Sequence, residues 1–190
     1  MDKLRLVKVD SLGQKHPLML NLSKHTRLRS LLVLACTLAV GAAQAQDRVA
    51  LPQIDQVVVR KAARVIQLYA GGRLVHTIPG IQLGDAPVGH KRFQGDERTP
   101  EGRYRIDYDN PESSYYLSLH ISYPNAADVA YARAQGRSPG GEIFIHGQPN
   151  GLPTGRVPGD WTDGCIAVSN DEMELLWKTV PNGTVIDIWP

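Results

Sequence analysis

His146 and Cys165 stand 19 positions apart and supply the two groups that thiol chemistry needs, an imidazole to take a proton and a sulfur to attack a carbonyl carbon. The 14 residues from Gly147 to Asp160 between them include four glycines and three prolines, a composition that predicts loop. Ile143, Phe144 and Ile145 lead into it, and Ile166, Ala167 and Val168 follow Cys165. The pattern is strand, long loop, strand, with His146 and Cys165 where loop meets strand. Two rigid elements can then hold imidazole and thiol together. Gly164, just before the sulfur, lets a backbone N–H turn toward a developing oxyanion. Spacing alone leaves a second reading open, a buried inert thiol near a histidine at the edge of the core.

The first 45 residues read as an address. Seven Lys/Arg against two acids precede an uncharged run, Leu31 to Ala42, which is followed by Ala43-Gln44-Ala45. A basic start, a short apolar stretch and a small-residue site describe a secretory signal peptide cleaved after Ala45. The run is shorter than the ~20 apolar residues of a membrane-spanning helix, so no stable span is expected. Met19 offers an alternative start, and Cys36 an alternative as a lipid-anchoring cysteine. Export implies a periplasmic protein. Loss of the leader turns the formal balance of +2 into −3, and no basic run follows, which excludes a nucleic-acid partner. Of two cysteines only Cys165 remains, and a lone thiol in an oxidising compartment is either buried or used.

Residues 46–56 form a short lead-in to one domain, 57–190. Val57–Val59 and Val65–Tyr69 are strand-like, and Ala70-Gly71-Gly72 turns the chain back into Arg73–Ile78 as a hairpin. Gly84 to Gly102 is a charged, Gly/Pro-rich loop. Arg103–Tyr108, Tyr115–Tyr123 and Thr184–Trp189 alternate as strands. Ala126–Gln135 and the stretch after Ser169 read as short helices, the second opened by a capping serine and acids. The expected fold is mainly β, a sandwich or open barrel with two short helices. Arg98 and Arg103 are candidates to pair with a substrate carboxylate, because a guanidinium binds one through two parallel hydrogen bonds. Tyr104 and His120 are further candidates for substrate contact.

Other chemistries find little support. His146, Asp163, Cys165 and a distant histidine do not have the spacing of a zinc site, so no metal is expected. GxGxxG and P-loop patterns are missing from the sequence, and no nucleotide cofactor is expected.

Ile145-His146-Gly147, the Gly/Pro-rich loop and Thr162-Asp163-Gly164-Cys165-Ile166 together resemble the L,D-transpeptidase (YkuD-type) family, whose pattern is His-Gly, a loop, then Ser/Thr-x-Gly-Cys. The resemblance extends to Thr99-Pro100-Glu101-Gly102-Arg103-Tyr104 and covers the chain from about Val57 to its end. Asp163 and Ala167 depart from the His and Arg found in many members. Trp161-Thr162-Asp163-Gly164-Cys165, with Ser122-Tyr123-Pro124-Asn125-Ala126, is similar to a subgroup of that family.

The resemblance implies a cysteine nucleophile, Cys165, with His146 as general base and acid. Gly164 and Cys165 N–H groups would hold the oxyanion, and Gly147, Thr162 and Asp163 would support the site. It implies no cofactor. The substrates would be peptidoglycan stem peptides, attacked to give a thioester that an amine resolves as a crosslink or a protein anchor. Hydrolysis by water, including release of a peptidoglycan-linked lipoprotein, is the alternative, and a binding module without catalysis is a third. His146 is expected to lower the thiol pKa from its free value near 8.5 by roughly one to several units.

Overall fold

The computed structural model describes residues 51–152 and 154–190. The leader, its cleavage point after Ala45 and Cys36 lie outside them. Among the described residues eight strands and two helices follow in the order β1 (Gln56–Arg60), β2 (Val65–Ala70), β3 (Arg73–Pro79), β4 (Gly102–Asn110), β5 (Ser118–Ile121), α1 (Ala126–Ala134), β6 (Ile143–His146), β7 (Ile166–Ala167), α2 (Asn170–Thr179) and β8 (Val185–Trp189). Among the described residues no helix is long and apolar enough to cross a membrane.

The strands form one curled sheet in the order β3-β2-β1-β8-β4-β5-β6-β7. Alternation explains which face turns inward: Val57 and Val59, Ile66 and Leu68, Ile106, Leu119 and Ile121, Ile143 and Ile145, Ile186 and Ile188 are all buried in one core. β4 makes the curl. Its first residues, Gly102–Arg105, pair antiparallel with β8, and after Ile106 it passes to β5 with a shift in register before Asp109. A strand shared this way bends one sheet into a half-barrel. β1 and β8 run parallel, Gln56 opposite Val185 and Arg60 opposite Trp189. Asp187, in the middle of β8, is clamped by Arg103 at 2.7 and 3.0 Å and by Gln56 Nε2 at 2.8 Å, tying three strands together on the outer face.

Both helices begin with a capping box. Asn125 Oδ1 accepts from the N–H groups of Ala127 and Asp128, and the Asp128 carboxylate accepts from the Asn125 N–H. Asp128 is buried and also takes the Tyr104 hydroxyl at 3.0 Å and His90 Nε2 at 2.9 Å. Ser169 caps α2, which lays Met173 and Leu176 into the core.

Tyr115–Leu117, expected as strand, is turn. Tyr116 has φ 68°, outside the extended region, and its N–H donates to Asn150 Oδ1 at 2.7 Å instead of to a neighbouring strand. The loop from Gly84 to Gly102 is anchored from beneath. The buried Lys61 Nζ donates to Gly89 O (2.6 Å), Thr99 O (3.1 Å) and Glu101 Oε1 (2.9 Å), and its burial lowers its pKa.

Candidate active site

β6 and β7 are parallel neighbours, Ile145 opposite Ile166 and His146 opposite Ala167. His146 therefore ends one strand and Cys165 immediately precedes the other. The Phe144 N–H donates to Cys165 Sγ at 3.4 Å, and Sγ lies 3.5 Å from Glu142 O. His146 Nδ1 is 2.7 Å from Gly147 O. A carbonyl only accepts, so Nδ1 carries the proton and Nε2 keeps its lone pair. Aromatic rings fix the imidazole plane: Tyr115 lies against it at 4.7 Å between centroids, and Trp161 meets it edge-on at 5.6 Å.

The turn before the sulfur is closed by Thr162, whose Oγ1 donates to Cys165 O at 2.8 Å and accepts the Gly164 N–H at 3.3 Å. Gly164 has φ +120°, and a Cβ there would sit 2.5 Å from Arg98 O. Glycine is required twice over, by backbone angle and by contact. Gly147 is required by contact alone, since a Cβ would come within 2.6 Å of Asn170 Oδ1.

The long loop between His146 and Cys165 is held by amides. Gln148 Nε2 donates to Val168 O (2.7 Å) and Gln82 Oε1 (3.1 Å), its Oε1 accepts from the Val157 N–H (2.8 Å), and Gln82 Nε2 reaches the carbonyls of Val157 and Gly159. Asp160 takes both Arg64 guanidinium nitrogens, at 2.7 and 2.6 Å, and the Leu83 N–H at 2.9 Å.

Cys165 and His146 open onto two hollows. The larger, about 800 Å³, runs past Lys91, Glu97, Glu142, Trp161 and Asp163. The smaller, about 330 Å³, runs past Asn110, Glu112, Ser113 and Phe144. Tyr115, Glu142, His146 and Cys165 line both.

Residues 54–188 match the family described as YkuD, L,D-transpeptidase catalytic domain. The chain belongs to that family. YafK of Escherichia coli (strain K12) is 31% identical over 100 residues, which are 52% of this chain and 34% of YafK. The helical cell shape determining protein Pgp2 from Campylobacter jejuni superposes with a TM-score of 0.57 at 28% identity, over 72% of this chain and 48% of Pgp2. Bd1075 of Bdellovibrio bacteriovorus shares the fold, with a TM-score of 0.50 at 24% identity over 75% of this chain and 50% of that one. The chain thus spans about a third of YafK and about half of Pgp2.

Within this L,D-transpeptidase-family domain the electrostatics correct one expectation. Cys165 is not held below the free thiol. Burial pushes it up to about 11; the Phe144 N–H and Lys91 pull it back, while Asp163 and Glu142 add to the rise. Burial also lowers His146, against a smaller opposing effect of Gly147 O. Both shifts favour neutral forms, so the pair rests as thiol and imidazole.

The remaining expected residues fall in several places. Asp163 is exposed on the cavity rim. The Gly164 N–H is engaged by Thr162, which leaves the Cys165 N–H for an oxyanion. Arg98 is exposed with its guanidinium beside Gly89; its carbonyl, not its charge, meets the active-site turn. Arg103 is committed to Asp187, and Tyr104 is buried on Asp128. His120 Nδ1 pairs with Asp107 at 2.6 Å, and its ring stacks on Tyr108. None of the last four side chains lines either hollow. Sequence reasoning missed Tyr115, Trp161, Gln82, Gln148 and Lys91. The only signal for Trp161 was its place in the Trp-Thr-Asp-Gly-Cys run.

Proposed function

We propose that this domain is a cysteine acyl-enzyme L,D-transpeptidase that acts on peptidoglycan stem peptides. The observation that carries the reading is the position of Cys165 and His146 at the junction of two hollows, one to hold an acyl donor and one to admit an acceptor. In the first half-reaction Sγ attacks the carbonyl of the diamino acid while His146 Nε2 takes the thiol proton. The Cys165 N–H holds the oxyanion. Collapse breaks the bond to the terminal D-residue, whose amine leaves with the proton from Nε2, and a thioester remains. In the second half an acceptor amine attacks the thioester, Nε2 takes its proton, and the carbon–sulfur bond breaks to regenerate the thiol. Water in place of the amine gives a trimmed peptide or releases a linked lipoprotein.

The neutral resting pair suits this sequence. The proton moves only when substrate arrives, so no exposed thiolate waits in an oxidising compartment. Exported, periplasmic action on the wall follows from the leader, and a part in remodelling fits the likeness to a cell shape determining protein.

Mass spectrometry of purified sacculi and stem peptides after incubation tests the reading. Crosslinked dimers, with loss of the terminal residue, are expected from the wild type and none from Cys165→Ala. Trimmed monomers alone would make the enzyme a hydrolase. Turnover by Cys165→Ala would overturn the mechanism.

A further inference from the structure

The two arginines that the sequence offers for a carboxylate both lie away from the cavity, one beside Gly89 and one on Asp187. Among the described residues that line the larger hollow, Lys91 is the one Lys or Arg, in company with the acids Glu97, Glu142 and Asp163. Its side chain is only 3% exposed. Nζ donates to Phe93 O at 3.2 Å and Asp96 Oδ1 at 3.0 Å. An ammonium has three protons, so one N–H is left. Asp96 does not line the hollow. Its carboxylate is turned into its own loop, where it also accepts from the N–H groups of Arg92 (2.6 Å), Phe93 (3.0 Å) and Arg98 (3.3 Å). Glu97, Glu142 and Asp163 make the wall acidic, and Lys91, though paired with Asp96, keeps one N–H and a positive charge for an anion, a charge that acts more strongly away from bulk water than an exposed one.

We infer that Lys91 holds a free carboxylate of the peptide in the larger hollow and so determines the domain's preference for anionic donors. The inference rests on the acyl-transfer reading for its substrate, but its chemistry is tested on the protein alone. Iodoacetate and iodoacetamide differ by one charge and attack the same thiolate, forming a sulfur–carbon bond as iodide leaves. Their rate ratio at Cys165 cancels the thiol pKa and reports the carboxylate preference. The full chain is compared with Lys91→Met, Lys91→Arg and Asp96→Asn. The ratio is expected to fall about fivefold in Lys91→Met, the effect of one unit charge several ångströms away at intermediate dielectric. It should stay within about twofold of wild type in Lys91→Arg and rise in Asp96→Asn, which removes the acid paired with the ammonium. An unchanged ratio in Lys91→Met, or an equal fall in Asp96→Asn, overturns the inference. Should Lys91→Met not fold, the wild type carries the test: acetate must slow alkylation by iodoacetamide more than acetamide does at equal concentration, and equal protection overturns the inference. A ratio that behaves as expected without stem-peptide turnover removes the assigned substrate and leaves the carboxylate site; turnover with an unresponsive ratio does the reverse.

Discussion

The imidazole of His146 is buried and the thiol of Cys165 partly so, and each is driven toward its neutral form. The iodoacetamide rate at Cys165 should therefore climb through the alkaline range with a midpoint near 11. A midpoint below the free-thiol value of about 8.5 would mean that the pair rests as thiolate and imidazolium. Stability carries the same signs. The depressed value of His146 gives a contribution that is present above the ordinary 6.5 and lost as pH falls through it, because the unfolded chain takes the proton first. Thermal melts between pH 7 and 5 should show a shallower loss in His146→Gln than in the wild type. The raised value of Cys165 contributes below the ordinary thiol value and is lost as pH rises toward 11. Beside it, Gly164→Ala meets the Arg98 carbonyl and a left-handed backbone angle together. It should cost on the order of 1–3 kcal/mol and suppress alkylation with the sulfur still present, measured by melting and by labelling rate. Normal labelling would mean that the turn tolerates a methyl group.

At the scale of elements, the long loop between His146 and Cys165 is held by a few strong contacts. Asp160 gathers Arg64 and the Leu83 N–H, and Leu83 O receives the N–H groups of Trp161 and Thr162, each at 3.1 Å. Asp160→Ala leaves the Arg64 guanidinium and the Leu83 N–H without their acceptor and should cost about 1–3 kcal/mol. It should also admit proteases between residues 147 and 160, seen as new fragments in limited proteolysis; an intact loop at the wild-type rate would place the anchor elsewhere. Most elements were legible because alternation and punctuation agree with burial: the Gly71-Gly72 hairpin, the apolar runs on both sides of the long loop, the Ser169 cap. Tyr115–Leu117 was not, since a run of tyrosines reads as strand until Asn150, 34 positions on from Tyr116, takes an N–H away. The charged loop was opaque for a related reason. Lys91 and Asp96 look solvated in sequence, and only the fold turns both inward.

For the whole molecule, the His–Cys pair and the β-rich order were readable from one chain, whereas the Gln82–Gln148 amide pair and the aromatic walls depend on contacts across dozens of residues. The expected leader is checked by N-terminal sequencing of exported protein, which should begin at Gln46; a lipid-modified start at Cys36 would place the protein on a membrane surface instead. The parallel pairing of β1 with β8 has a consequence for anything joined to this domain. A segment fused ahead of β1 enters where Gln56 faces Val185, and one fused behind β8 departs from the opposite end, where Arg60 faces Trp189, roughly 13 Å away at ordinary strand rise. There Pro190 shares a pocket of about 210 Å³ with Lys61, Val88, Gly89 and Glu101, which belong to the anchorage of the Lys91 loop. Cargo, tags and tethers at the two ends are thus inequivalent: a rear attachment adjoins the anchorage of the Lys91 loop, while a front attachment joins at the opposite end of the β1–β8 pair.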